Sequence, residues 1–495
     1  MNFLRIVRNF FLALTLTATP CYASMDFDDF DELDFDLNAI QDFENDCLLT
    51  RTTPAQGLTL ALLGQIKSPL WNNTQAPKGR DVLYLLPHKI TAIEHGGFAA
   101  SYFFNMTDKM QVSADSLLDT TSINPELIKF ITDYVAQNAG NNVSSEELLT
   151  LLPLFQKMRI QERKTGFFLQ GAFLHGPFTL QLHTSLQLSE RNFFLSKKDE
   201  LQALAVLEKV RPGQSVDNKE FFIIRYGMGD TRLKLGLNSL NMTSFKVDTG
   251  FEAILPTSLA VSNPRFTEAS LKVSDIDQLT ESLLDQLRGI RDFLLNPQLG
   301  NGGHFGVGYY LESKVGIFRN LAHLWFRFSY DKLFPGQETR LLMFKQTIDP
   351  EKLNMPGYII GLTDPEAAQL IQDYIDQFVF PTPFKSNVYP GGIFNIVMSA
   401  VVNAKPWQVA FGYDFYAQQR ERIVSIKSSR TQLSDLRVKD AELPSTNQHK
   451  FFTEVCHIKK HKKSEITLGL GGDVTMYSIN IGKDWTAYFK FAMSF

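Results

Sequence analysis

Six charged side chains sit at alternate positions inside apolar segments. They are Arg232 and Lys234 in "TRLKLGLNSL", Glu252 in "DTGFEAILP", Glu312 in "HFGVGYYLES", Arg327 in "HLWFRFSYD" and Asp414 in "WQVAFGYDFYAQ". Successive side chains of a β-strand point to opposite faces, so each charge shares a face with Gly, Asn, Ser or Gln and backs onto an apolar face. Charges that converge on one interior do no covalent chemistry. They either select which ions and solutes pass, or they pair as salt bridges that hold the interior together; spacing leaves both readings open. Patterns for catalysis are lacking. There is no G-x-S-x-G elbow and no H-E-x-x-H helix, and three cysteines are too few for a cysteine-rich zinc site. "GNGGHFGVG" (300–308) and "GLGGDVTM" run into alternating residues rather than a helix, so their glycines relieve crowding in strands instead of cradling phosphate. The basic "HIKKHKK" (457–463) reads as a solvated turn. No catalytic residue, metal ligand or cofactor is expected.

The elements that carry these charges share one design. "FTLQLHTSLQLS" sets Phe178, Leu180, Leu182, Thr184, Leu186 and Leu188 against Thr179, Gln181, His183, Ser185, Gln187 and Ser189. The final "DWTAYFKFAMSF" sets Trp485, Ala487, Phe489, Phe491, Met493 and Phe495 against Thr486, Tyr488, Lys490, Ala492 and Ser494. Aromatic residues gather at segment ends (Trp407, Tyr330, Trp485), as in the girdles of a membrane barrel. Strands are expected at about 97–106, 164–174, 177–189, 231–241, 243–256, 303–315, 319–331, 389–403, 406–418, 449–459, 465–481 and 485–495. That makes about twelve, within a range of ten to sixteen, because "KEFFIIRYG" (219–227) and "RDVLYLLPH" (80–88) read as further strands. Short joints alternate with long stretches near 107–162, 190–230, 257–302, 332–388 and 419–448. Within the long stretches "NPELIKFITDYVAQ", "SEELLTLLPLFQKM", "LTESLLDQLRGIRDFLL" and "DPEAAQLIQDYIDQFV" carry helical periodicity. The expected fold is all-β: a transmembrane antiparallel barrel with partly helical external loops. The bilayer core offers no water to unpaired backbone groups, so the sheet must close on itself.

The chain has 495 residues, 41 of them Phe, and a net charge of −4, which gives no reason to expect a nucleic-acid partner. Arg5 and Arg8, an apolar run from Phe10 to Ala18 and the small residue Ala23 read as a signal peptide over 1–23. An acidic segment (24–95) follows, as a tail or a plug, and then the barrel (96–495). Two cysteines remain after cleavage, Cys47 and Cys456, and an oxidising compartment permits a disulfide between them. Two unrelated thiols are the competing reading.

Two resemblances follow from these residues. The alternating final strand with Phe489, Phe491, Met493 and Phe495 resembles the closing strand of bacterial outer-membrane β-barrels. It implies recognition by their assembly machinery, residence in the outer-membrane bilayer, and an assembly role for those four residues. "GMGDTRLKLGLNSLNMTSFKVDTGFEAILPTS" (227–258) resembles the mid-barrel hairpin of FadL-like and phenol-pathway transporters. Its carriers are Gly227, Gly229, Asp230, Leu233, Leu235, Gly236, Pro256 and Thr257. That resemblance implies passive uptake of hydrophobic compounds. Barrels with phospholipase activity also exist, but no Ser-His-Asn pattern of that family is found here. The expected function is therefore a channel or passive transporter for small solutes. The alternative is a non-conducting surface barrel whose helical loops bind external partners.

Overall fold

The computed structural model describes residues 80–85, 96–111, 159–210, 222–242, 244–258, 297–317, 321–345, 382–428, 431–461 and 464–494. The chain divides into a unit of residues 1–67, outside the described residues, and a unit of residues 68–495. The second unit is built on twelve long strands. They are β1 (Gly97–Thr107), β2 (Arg159–His175), β3 (Phe178–Phe194), β4 (Thr231–Asn241), β5 (Phe245–Leu255) and β6 (Gly306–Ile317). Then come β7 (Ala322–Leu333), β8 (Ile393–Ala404), β9 (Trp407–Gln418), β10 (Thr446–His461), β11 (Ser464–Ile479) and β12 (Asp484–Ser494). Each pairs antiparallel with the next. The ring shuts where β1 pairs with β12, from Gly97 opposite Ser494 to Thr107 opposite Asp484. The backbone therefore has no free barrel edge, as a membrane span requires.

Burial is inverted relative to a soluble barrel. On β12, Trp485, Phe489, Phe491 and Met493 are exposed, while Thr486, Tyr488 and Lys490 are buried. On β3 the exposed apolar row runs from Phe178 to Leu188 and then gives way to Glu190 and Asn192. At about 3.4 Å per residue and a tilt near 45°, that row spans about 24 Å along the membrane normal, the height of a lipid-facing band. Trp407 lies outward at the short-turn end of β9, and Trp485 outward at the other end of β12. At that same end Tyr330 packs on Phe394, with ring centroids 4.6 Å apart.

Joints at 176–177, 242–244, 318–321, 405–406 and 462–463 fall at one end. The long connections fall at the other, together with the short joint 480–483. This is the expected alternation. The strand positions also match the expected ones to within a few residues, but two expected extra strands differ. Phe222–Met228 is a strand, yet it pairs only with Leu186–Asn192, the upper part of β3, and takes no part in closing the ring. Of 80–88, the described residues 80–85 supply no strand. Val82–Leu85 is a single helical turn inside the barrel, and its four apolar residues do not alternate.

The connection after β3 carries a helix, α1 (Lys197–Val210), which is not one of the four segments with helical periodicity singled out in the sequence. Ser196 caps it by accepting from the Asp199 N–H. Those four segments lie outside the described residues. The connections after β7 and β9 contribute something the sequence did not announce. Gly336–Leu342, Thr382–Tyr389 and Arg422–Ile426 form a three-stranded antiparallel sheet above the barrel. Its own core is Leu342, Val388, Ile423, Leu436 and Ala441.

Candidate functional site

The lumen wall is built from the inward halves of the alternating strands. All six charges singled out in the sequence stand on it. Arg232, Lys234, Glu252, Arg327 and Asp414 are buried and Glu312 is half-buried. Glu252 gathers three cations: Arg232 at 3.3 Å, Lys234 at 3.5 Å and Arg327 at 3.8 Å. Arg232 also reaches Asp331 at 2.9 Å, and Glu312 accepts from Trp325 Nε1 at 2.6 Å.

Asp414 has a partner that strand alternation could not reveal. Arg80, from the segment before the barrel, grips it with two hydrogen bonds of 3.0 Å each. Asn395 donates to the same carboxylate at 2.8 Å. The segment 80–85 thus lies inside the barrel as a plug. Tyr84 donates to Asp331 at 2.5 Å, and Lys164 Nζ donates to the Arg80 carbonyl at 2.9 Å. The Arg80 guanidinium stacks over Tyr416 at 4.7 Å and the Arg232 guanidinium over Tyr84 at 4.6 Å. The apolar turn seats its side chains against inward groups of several strands, among them Phe103, Phe168, Ile254, Leu333 and Ile393. At this level the barrel interior is packed rather than wet: Arg80, Arg232, Asp331 and Asp414 are each no more than 2 % exposed. Desolvation this complete is tolerated because every charge has a partner.

Two further clusters escaped the sequence reading, because nothing in spacing marks which buried charges will meet. Lys450 sits between Asp473 and Asp484, at 2.9 and 2.8 Å. Glu454 takes Lys490, Tyr488 and Cys456. The signal available was inward parity, which Lys450, Glu454, Asp473 and Lys490 share with the six. Above the plug, at the long-loop end, lies a cavity of about 70 Å³ lined by Asp81, Lys164, Arg191, Tyr416 and Glu421 among others.

Asp230, noted for the hairpin that begins at Gly227, anchors backbone. It accepts from Ser258 N at 3.2 Å and Asn301 N at 2.6 Å. A Cβ on Gly300 would strike its carboxylate at 2.5 Å, so "GNGG" serves this close approach. Cys456 is buried and its Sγ donates to Glu454 at 2.7 Å. Cys47 lies outside the described residues, as do residues 1–79 and 86–95 and the terminal Phe495. In the basic turn, Lys460 pairs with Glu465 at 3.4 Å and His457 packs edge-on against Trp407.

No protein-family model matches the chain, and no curated protein does. Solved structures that resemble it include an outer-membrane channel from Pseudomonas putida F1. That match has 9 % identity over 84 % of this chain and 99 % of the other, with a TM-score of 0.39. A toluene transporter from Ralstonia pickettii matches at 10 % identity over 81 % of this chain and 90 % of its own, TM-score 0.30. One from Pseudomonas putida matches at 7 % over 86 % and 97 %, TM-score 0.28. Likenesses so distant carry no argument about activity, and the fold rests on the strand pairing itself. By that pairing and its inverted burial, the chain is a closed twelve-stranded antiparallel β-barrel of the outer-membrane kind.

Proposed function

We propose that this protein is a passive outer-membrane channel for small solutes, closed at rest by residues 80–85. The observation that carries this reading is how the plug is held. It forms no strand pairing with the wall; its contacts there are side-chain hydrogen bonds, ion pairs and apolar packing. Such a segment can leave without opening the sheet.

Removing one partner of a buried ion pair costs about 3–5 kcal/mol, so the Arg80–Asp414 pair is a large part of what seats the segment. The apolar ring around the plug and the charged wall beside it suit solutes with both an apolar and a polar part. Export through a signal peptide cleaved near Ala23 delivers the chain to the outer-membrane assembly machinery. A thiol pair Cys47–Cys456 would tether the N-terminal segment at the short-turn end, and mass spectrometry of the oxidised protein tests it.

The test of transport is swelling of proteoliposomes in small sugars, amines and alcohols. Swelling rates that fall with solute size support the channel. Rates equal to empty liposomes, for both the natural protein and a variant lacking the Arg80–Asp414 pair, refute it. The second reading, a surface barrel that binds partners, is favoured by one observation: the three-stranded sheet above the barrel has a core of its own.

A further inference from the structure

We infer that the lower half of the lumen contains a binding site for one monovalent cationic group, the ammonium of an amine-bearing solute. This deepens the channel reading and rests on it. The site lies below the plug, where β4, β5 and β6 run side by side. Asp248 on β5 stands opposite Asn238 on β4 and Glu312 on β6. Tyr310, one inward position above Glu312, is 2 % exposed, and its hydroxyl has no hydrogen-bond partner. Asp248 Oδ1 and Asn238 Oδ1 are likewise buried without partners.

The space between them is created by Gly236. A Cβ there would lie 2.2 Å from Tyr310 Oη and 3.0 and 3.4 Å from the two Asp248 oxygens. The phenol and the carboxylate therefore face each other across a gap no wider than those distances together, yet they do not bond. Unpartnered buried oxygens of this kind are costly and call for an occupant. Tyr310 Oη and the Asp248 carboxylate meet here, Asn238 is the strand neighbour of Asp248, and an ammonium carries three donors.

Charge points the same way. Arg232, Lys234 and Arg327 share Glu252, and Arg232 also takes Asp331, so three cations meet two carboxylates. Asp248 and Glu312 bring the carboxylates to four and have no ion pair among the described residues. At these levels of the wall four carboxylates face three cations. Lys246 and Lys314, one inward position lower, have interactions of their own. A divalent ion fits poorly. One oxygen of Glu312 is taken by Trp325, two of the remaining ligands are uncharged, and Lys234 lies 5.3 Å from the Tyr310 ring centre. Asp248 and Glu312 are only half-buried, so the lumen gives access.

Trp325 bonds directly to Glu312 and reports on the site. Full-length folded protein in detergent is titrated with methylammonium chloride, with sodium or magnesium chloride at equal ionic strength as comparison. The signal is the part of the fluorescence change absent from Trp325→Phe. A saturable change specific to methylammonium is expected. It should weaken about tenfold or more in Asp248→Asn and about threefold in Tyr310→Phe, and stay unaltered in Glu465→Gln at the turn. Heat-modifiable migration certifies folding in every variant. No saturable change in a folded barrel, an unaltered Asp248→Asn, or an equal response to sodium or magnesium overturns the site. Binding is read here without ion flow. A barrel that binds but passes nothing therefore removes the channel and leaves the site; flow without binding removes the site alone.

Discussion

Phe251 and Leu201 are both large apolar residues exposed to their surroundings, at 71 % and 61 %. They differ in what surrounds them. Phe251 is near the middle of β5 on the outward face, and Leu201 is on α1 in the external connection. Phe251→Arg should destabilise the folded barrel by about 2–4 kcal/mol, the cost of a cation near the bilayer midplane. Leu201→Arg should change stability by less than about 0.5 kcal/mol, because water already surrounds the site. Urea unfolding in lipid vesicles measures both, and equal costs would mean that the outward face does not meet lipid. The outward face was legible because alternation alone fixes it. Partnership was not: Arg232 meets Asp331 and Arg80 meets Asp414 across long stretches of sequence. Asp331 could be read as inward in "HLWFRFSYD", but nothing marked it as the plug's acceptor.

The plug is the element whose nature the sequence hid. "RDVLYLLPH" looks like a strand because Val, Tyr and Leu are common in strands. Its run of four apolar residues has no polar alternate, which is the mark of a segment buried on all sides, and the barrel interior buries it. Removing one partner of a buried, bidentate ion pair costs about 3–5 kcal/mol. Arg80→Ala should therefore unseat residues 80–85 while leaving heat-modifiable migration intact. Protease should then cut near residue 80 in folded protein faster by roughly a hundredfold or more. A cleavage rate like that of the unaltered protein would mean that apolar packing alone holds the segment.

The external sheet makes a separate prediction. Arg340 is buried between Glu338 at 2.6 Å and Glu421 at 2.7 Å. Arg340→Ala removes the cation shared by buried Glu421 and half-buried Glu338, the latter also bonded to His304. It should loosen strands Gly336–Leu342 and Thr382–Tyr389, seen as faster amide exchange there and unchanged exchange in β1–β12. Exchange rising equally in the barrel would show that the sheet and the barrel are one cooperative unit. This sheet was hidden in the sequence because its strands are short and contributed by two distant connections. The long barrel strands repeat one pattern often enough to be read.

At the scale of the whole molecule, closure and parity determine what the barrel can do. The ring has no edge, one end carries short turns, and the lumen is charged, paired and plugged in its upper half. Conductance is then a question of the plug, not of the sheet. Single-channel recording in planar bilayers, comparing the unaltered chain with Arg80→Ala, tests this most directly. The account predicts a mostly closed protein with brief openings, and a variant whose open fraction is at least tenfold larger with the same unitary step. A silent bilayer for both, from barrels shown to be folded and inserted, would contradict it.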